Sequence, residues 1–488
     1  MKNCDRRIQR REFLKLSAGL GAAAGLGAAA PGTCHASLRR PAPRYASRRP
    51  PVAKRKFVSA AVEKFIAGVS RKIADPELAW LFENCYPNPL DTTVEFGSFR
   101  GSPDTFVLTG DIPAMWQRDT MYQLWPYLPL VKHDAHLNKM MQGVLNRLIR
   151  NTLLSPYANA FLKDAKQRSP WHGDLTHMKP GVWEHKWEVD SLCSVIRLCH
   201  GYWRTTGDVT QFGADWRRAM DLIVHTFHAQ QRFEGNGPYY FMRPAPHPRT
   251  PIPAAAYGPA GRPNGMIFTR FRPSDDAVVF PQHIPDNLFA VVSLRQLAAM
   301  HRHIHADNAR AAACLALARQ VESAISQHGV RRHAKFGKIW AYEVDGMGKA
   351  LYMDDANAPS LLALPFLGAC AANDPIYKRS RAFSWSAENP WFFSGKFSGV
   401  GSPHTGANTI WPLSIILYGL TATDSHEVAW ALDELKRSSA GTGFIHESFH
   451  KNNPAHFTRP WFAMVNAMFG ELVAHTARDH PQILAQKT

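Results

Sequence analysis

Three features of the amino-acid sequence predict an all-α fold in which paired helices close into an α/α toroid. Runs of apolar residues recur at spacings of three and four along most of the chain. Strand-like segments are few. Three long loops, 155–187, 233–283 and 388–407, are rich in Gly, Pro, Trp and carboxylates, and loops of that length usually build a cleft.

The first helical run opens at Phe57, where Phe57, Ala61, Phe65 and Val69 mark one face. Further helices are expected near 76–84, 117–130, 134–153, 188–205, 211–231, 284–304, 307–327, 357–370, 408–420, 425–438 and 459–476. Turns as short as Thr206-Gly207-Asp208 make successive helices antiparallel neighbours. Strands are expected at 93–96, 105–109 and 338–344. An extended helical solenoid is the competing architecture, but it would show a residue-level repeat, and none is visible.

At 488 residues and 45% hydrophobic content, the chain has ample length for a large core. Its net charge of +18 suggests nucleic-acid binding until the charge is located. Residues 1–56 hold 14 Lys and Arg against 2 Asp and Glu, which leaves only +6 on the rest. The body therefore lacks a nucleic-acid-binding character.

The basic leader has its own reading. Gln9-Arg10-Arg11-Glu12-Phe13-Leu14-Lys15 resembles a twin-arginine export signal, followed by an Ala/Gly-rich apolar run over 16–30. Residues 1–36 are thus read as an export signal of a bacterial periplasmic or secreted protein, with cleavage near Ala30 or Ala36 and no stable membrane span afterwards. Residues 37–56 are expected to form a disordered Pro/Arg-rich linker, and 57–480 the toroid. Beyond the leader, Cys85, Cys193, Cys199, Cys314 and Cys370 form no C-x-x-C pattern and read as buried thiols, with a single disulfide left open.

Four clusters could carry chemistry. The stretch 108–127 places Asp111, Trp116, Arg118 and Asp119 at a loop-to-helix junction marked by Pro113. Indole on a sugar's C–H face, with Arg and Asp on vicinal hydroxyls, is how a polyol is recognised. A salt-bridged helix start with a buried Trp explains the same residues. The second cluster is Trp183 to Asp190, two Trp among three carboxylates and Lys186. The third is Arg272-Pro273-Ser274-Asp275-Asp276, and the fourth Ile445-His446-Glu447-Ser448-Phe449-His450.

The fourth cluster matches the H-E-x-x-H pattern of zinc proteases, with Glu471 at a plausible distance for a third ligand. Gly443 before it and Pro454 after it leave little helix to hold a metal. Glycoside hydrolysis instead needs two carboxyl groups on facing walls, one as acid and one as nucleophile or base. Asp275, Asp276 and Glu447 are far enough apart in sequence to supply that. A non-catalytic carbohydrate-binding toroid would keep Trp116 and Arg118 without turnover.

Six segments, TGDIPAMWQRDT (109–120), KWEVDSLC (186–193), RPSDDA (272–277), IPDNLFAVVSL (284–294), MDDANAPSLLALP (353–365) and GTGFIHESFHKNNPAHFTRPWFAMVN (441–466), resemble the metal-independent α-mannosidases of glycoside hydrolase family 125. The resemblance spans 57–476 with the motifs in order. It implies an (α/α)6 barrel, a six-hairpin glycosidase toroid, that releases non-reducing α-1,6-linked mannose from mannoside glycans with inversion, without metal or other cofactor. It puts the general acid on Asp275, with Asp276 the alternative one residue away, and the general base on Glu447. Asp111, Arg118 and Asp119 would hold hydroxyls of the terminal mannose with Trp116 as a wall; Lys186, Asp190, Asp355, Asn357 and His446 are further pocket candidates. An acid protonated at working pH would need a raised pKa, expected here from burial and from Asp276, with the two catalytic carboxyls roughly 6.5–9.5 Å apart. The chain departs from the family core in its leader and in the Pro/Ala-rich stretch 244–263, which would bear on the aglycone accepted.

Overall fold

Residues 45–244 and 255–486 are described by a computed structural model. The leader 1–36, the start of the linker and residues 245–254 of the 244–263 stretch lie outside them. Two rings of helices make the body. The inner ring is Gln117–Leu124, Val189–Thr206, Ile284–His305, the short Leu364–Leu367, Pro412–Leu420 and Ala463–Asp479. Ala463–Asp479 packs back on Gln117–Leu124 and closes the ring. Ala135–Leu154, Ala214–Gln230, Asn308–Ala324, Pro375–Ser384, Ser425–Ser438 and the pair Ala60–Ser70 and Pro76–Cys85 form the outer ring.

Burial separates the rings. Every residue of Gln117–Leu124 is buried, as required of a helix enclosed on all sides. The outer Ala135–Leu154 buries one stripe instead, including Leu137, Met140, Met141, Val144, Leu145 and Leu148. Each such side chain contributes about 1.5–3 kcal/mol when removed from water. Asp134 caps this helix by accepting the amide protons of His136 and Leu137. At Gly143 the helix crosses the hairpin Val94–Phe99/Ser102–Val107 so closely that a Cβ would lie 2.9 Å from the Asp104–Thr105 backbone.

The inner helices begin at small sheets. Met115–Trp116 pairs with Ala160–Phe161, which pairs with Val182–Glu184; Gln282–His283 pairs with Glu343–Val344; Thr409–Ile410 pairs with Phe449–His450. These two- and three-residue strands are too short to show an alternating pattern. Each ties the start of an inner helix to a long loop, so polar residues of the helices' first turns face the loops.

Two sequence expectations are corrected here. Residues 357–370 are not one helix. Asp354 accepts amide protons from Leu361 and Leu362, Asp355 from Asn357, and the Asn357 side chain from Ala358. Side chains thereby replace helical bonds, and Pro359 and Pro365 lack an N–H for a helix interior, so only Leu364–Leu367 is helical.

The second correction concerns 45–56, expected to be disordered. This segment docks on the outer ring: Arg49 Nε meets Asp91 at 2.7 Å and its Nη1 meets Glu63 at 2.9 Å. Trp80 Nε1 donates to Ala46 O at 2.7 Å, and Tyr45 packs on the Trp80 ring. Arg49, in what looks like a solvated charge run, finds the buried Asp91, 42 residues away, and the partly exposed Glu63, 14 residues away. The five cysteines of the body are free thiols, and no helix among the described residues is long and apolar enough to cross a membrane.

Candidate active site

Arg118 is the centre of the cleft's polar floor. It lies in the first turn of an inner helix, is 3% exposed, and has carboxylates on every side. Nη1 meets Glu188 at 2.7 Å and Asp190 at 3.3 Å, Nη2 meets Asp275 at 3.3 Å, and Nε lies 3.4 Å from Asp119. The surplus of carboxylates in a buried setting raises their proton affinity. Burial, opposed by Arg118 and joined by Asp275, pushes Asp119 up to about 6; burial, opposed by Arg118 and joined by Asp286, pushes Asp190 up to about 7. Lys186, 3.3 Å from Glu184 and above the Phe271 ring, stays cationic because Glu184 and Asp275 outweigh the effect of burial.

Asp275 stands on a tight loop. Asp275 N donates to Arg272 O, and Arg272 N to Asp276 O. Asp275 itself has φ +64°, a left-handed conformation that costs a non-glycine residue energy and is held by its surroundings. Those surroundings include Asn357, whose Nδ2 donates to Pro273 O at 2.8 Å, and Glu343, which meets Arg272 Nε at 2.6 Å. Burial alone would raise the Asp275 pKa, but Lys186, Arg118, a hydrogen bond with Glu188 and His404 hold it well below the usual carboxylate range. This reverses the expectation that Asp275 is protonated through Asp276: Asp276 turns away to His404 Nδ1, 3.2 Å distant, and to Ser274.

Glu447 comes from the opposite segment. Thr458 Oγ1 donates to its Oε2 at 2.8 Å, and Arg459 Nε lies 3.3 Å from its Oε1. Arg459 also reaches Asp111 at 3.6 Å, which joins the 108–127 stretch to this wall. His404 links the two walls. Burial would lower its pKa, yet the hydrogen bond to Asp276 and the charges of Asp276, Glu447 and Asp275 raise it to about 9. His404 is therefore a cation at neutral pH. Asp276→Asn is expected to return the His404 titration toward an ordinary imidazole value in histidine NMR; an unchanged midpoint would remove Asp276 as the cause.

The remaining sequence candidates divide. Asp190, Lys186, Asp119 and Arg118 join the floor. Asp111 is 55% exposed, at the rim. Trp116 packs with Ala114, Ala160, Ile112 and Trp183 and is 5% exposed, so it builds the floor and does not present an open face. Asp355 and Asn357 support the Asp275 loop from behind, Asp355 through Ser402 and the Asn357 amide.

His446 has no free nitrogen. Nδ1 lies 3.0 Å from Arg459 O, Nε2 lies 3.2 Å from Ser439 O, and the ring stacks on Phe457. Phe449–His450 is a strand, so the H-E-x-x-H residues do not share a helix face. Glu471 meets the charges of Arg478 and Arg197 instead. The zinc-protease reading fails on ligand geometry.

Sequence reasoning did not single out Glu188, Asn159, His404, Thr458 or Arg459. All lie in loops or motifs whose Trp, Arg or carboxylate content had drawn notice, or immediately beside them, but nothing local distinguishes them from their polar neighbours.

A family profile for metal-independent α-mannosidases, glycoside hydrolase family 125, matches residues 75–474. The chain is 40% identical over 456 residues to the meiotically up-regulated gene 157 protein of Schizosaccharomyces pombe, covering 89% of each. It is similar to a metal-independent α-mannosidase of Streptococcus pneumoniae, solved in a non-productive complex with α-1,6-mannobiose, at 38% identity and a TM-score of 0.82 over 86% of this chain and 99% of that one. A bacterial glucoamylase bound to acarbose shares the fold at 12% identity and a TM-score of 0.54, over 86% of this chain and 59% of that one.

The fission yeast relative overturns the bacterial, twin-arginine-exported, periplasmic or secreted assignment, since it points to a eukaryotic origin. An arginine pair before an Ala/Gly-rich run carries little information beyond composition. From fold, site and relatives together, the chain belongs to the metal-independent α-mannosidases of glycoside hydrolase family 125, glycoside hydrolases built on an (α/α)6 barrel.

Proposed function

We propose that this α-mannosidase is exo-acting, removes non-reducing terminal α-1,6-linked mannose from mannoside glycans, and inverts the anomeric centre. The observation that carries the reading is that Asp275 and Glu447, from segments far apart in sequence, both come close enough to His404 for their charges to raise its pKa. The α-1,6-mannobiose bound by the Streptococcus pneumoniae relative supports the choice of linkage.

Asp275 is the side chain of the floor cluster that reaches the cleft: it is 20% exposed, against 0% for Glu188 and Asp190. On this reading Asp275 delivers a proton to the glycosidic oxygen. Glu447, held by Thr458 at Oε2 and facing Arg459 at Oε1, takes a proton from a water, and that water attacks the opposite face of the ring. On the same reading Asp111 meets sugar hydroxyls from the rim, with Arg118 and Asp119 beneath it in the floor.

Proton NMR of α-1,6-mannobiose hydrolysis, with chelator present, tests the reading. β-Mannose appearing before mutarotation is the expected result. α-Mannose as first product would refute inversion, and no release from a protein that binds the disaccharide would favour a carbohydrate-binding toroid.

A further inference from the structure

We propose that Glu188 is the proton reservoir of the general acid: it holds the proton in the resting enzyme and passes it through their mutual hydrogen bond to Asp275 during glycosidic cleavage. The proposal rests on the reading of Asp275 as the acid.

Glu188 cannot touch substrate, because its side chain has no exposed surface. It occupies the N-cap position of Val189–Thr206 but makes no capping hydrogen bond; its carboxyl enters the floor cluster instead. There it accepts from Ser191 Oγ at 3.3 Å and shares its other two donors with Asp275. Arg118 gives Nη1 to Glu188 at 2.7 Å and Nη2 to Asp275 at 3.3 Å. Asn159 Nδ2 lies 3.2 Å from Glu188 Oε1 and 3.3 Å from Asp275 Oδ1. Two carboxyls clamped by one guanidinium and one amide, and hydrogen-bonded to each other, titrate as a unit that retains a proton.

The surroundings decide which partner holds it. Glu188 is fully buried and faces Asp275, Asp190 and the Tyr239 phenol, against Arg118 and the more distant Lys186. Its proton affinity is raised by burial first and by Asp275 next. Asp275 faces Lys186, Arg118 and His404. At rest, then, the acid is ionised, with its proton one hydrogen bond behind it.

When a sugar enters, it displaces water from Asp275 and raises that carboxylate's proton affinity. The Glu188 O–H bond breaks as an Asp275 O–H bond forms; Asp275 then protonates the glycosidic oxygen as its bond to the anomeric carbon breaks. Water supplies the hydroxyl of the released mannose, and its proton goes to Glu447. The two floor carboxylates are left facing Arg118 and Lys186, and the proton on Glu447 returns to them through solvent. Protons balance over the cycle without any other reactant.

The test is leaving-group dependence in Glu188→Gln. The amide keeps the shape and still donates to Asp275 but has no proton to transfer. Turnover of α-1,6-mannobiose, whose alkoxide must be protonated, is expected to fall by roughly a hundredfold or more. Turnover of 2,4-dinitrophenyl α-mannoside, whose phenolate leaves unaided, is expected to fall by a far smaller factor. The alkaline limb of the kcat/KM profile on mannobiose should also move to lower pH. Equal losses on both substrates with unmoved limbs would overturn the proposal. Glu188→Asp retains a transferable proton and should show a smaller split between substrates; if Gln fails to fold, an equal loss on both substrates in the Asp variant overturns it. Asp275→Asn is assayed alongside: absence of the split there would refute Asp275 as acid, independently of Glu188.

Discussion

Glu447→Gln is expected to lower turnover of α-1,6-mannobiose by about a thousandfold or more while leaving the melting temperature close to that of the parent. General-base catalysis contributes roughly 10²–10⁴ in rate, and an amide cannot accept a proton from water. The fold should tolerate the change. Glutamine has the shape of glutamate, and its carbonyl oxygen can accept the Thr458 hydrogen bond that now ends on Oε2. The charges that face Glu447 keep other partners: Arg459 is shared with Asp111 at the rim, and His404 keeps Asp276 and Asp275. Azide, a nucleophile that needs no deprotonation, should restore turnover with the activated aryl mannoside and yield β-mannosyl azide. Turnover within about tenfold of the parent would remove Glu447 from the base role.

Arg118→Met is expected to produce the largest loss of stability, about 3–5 kcal/mol, because it strips the shared cation from a buried group of carboxyls. Arg118→Lys should recover little. A single ammonium cannot span Glu188 and Asp190 through one nitrogen, Asp275 through another and Asp119 through a third.

The deficit should depend on pH, and its sign follows from proton binding. Asp119 and Asp190 have folded pKa values near 6 and 7, above the ordinary value of 3.8, and loss of Arg118 raises them further. The native variant therefore binds more protons than the unfolded chain between about pH 4 and those raised values, so its stability falls as pH rises through that window. Urea denaturation at pH 5 and pH 8 should show the smaller deficit at pH 5. A loss under about 1 kcal/mol at both would show that the floor carboxyls do not need this guanidinium.

What was legible in the chain follows from the range of the forces involved. Helical periodicity is local, and the runs at 134–153, 188–205, 284–304 and 425–438 match the helices within one or two residues. Where side chains outcompete helical hydrogen bonds, as Asp354 does at Leu361 and Leu362, periodicity misleads. The same limit governs 45–56, where the run Arg48 to Lys56 reads as solvated until Asp91 and Glu63 are brought against Arg49. In the site, residue types marked the clusters that hold Arg118, Asp275, Asp276 and Glu447, and the family resemblance implied which carboxylates act.

Composition and periodicity thus determined by themselves a mostly helical fold of paired helices, and the resemblance carried by the motifs implied the (α/α)6 barrel and the carboxylates proposed for the chemistry. Only the tertiary structure decided that Asp275 meets Arg118 while Asp276 turns to His404, and that both ring nitrogens of His446 face carbonyl oxygens. The aspartate contacts depend on groups that lie far away in sequence. Arg118 stands 157 residues from Asp275, and His404 stands 128 residues from Asp276. A carboxyl's proton affinity is set by burial and by charges within a few ångströms, and neither is a property of the residues beside it in the chain.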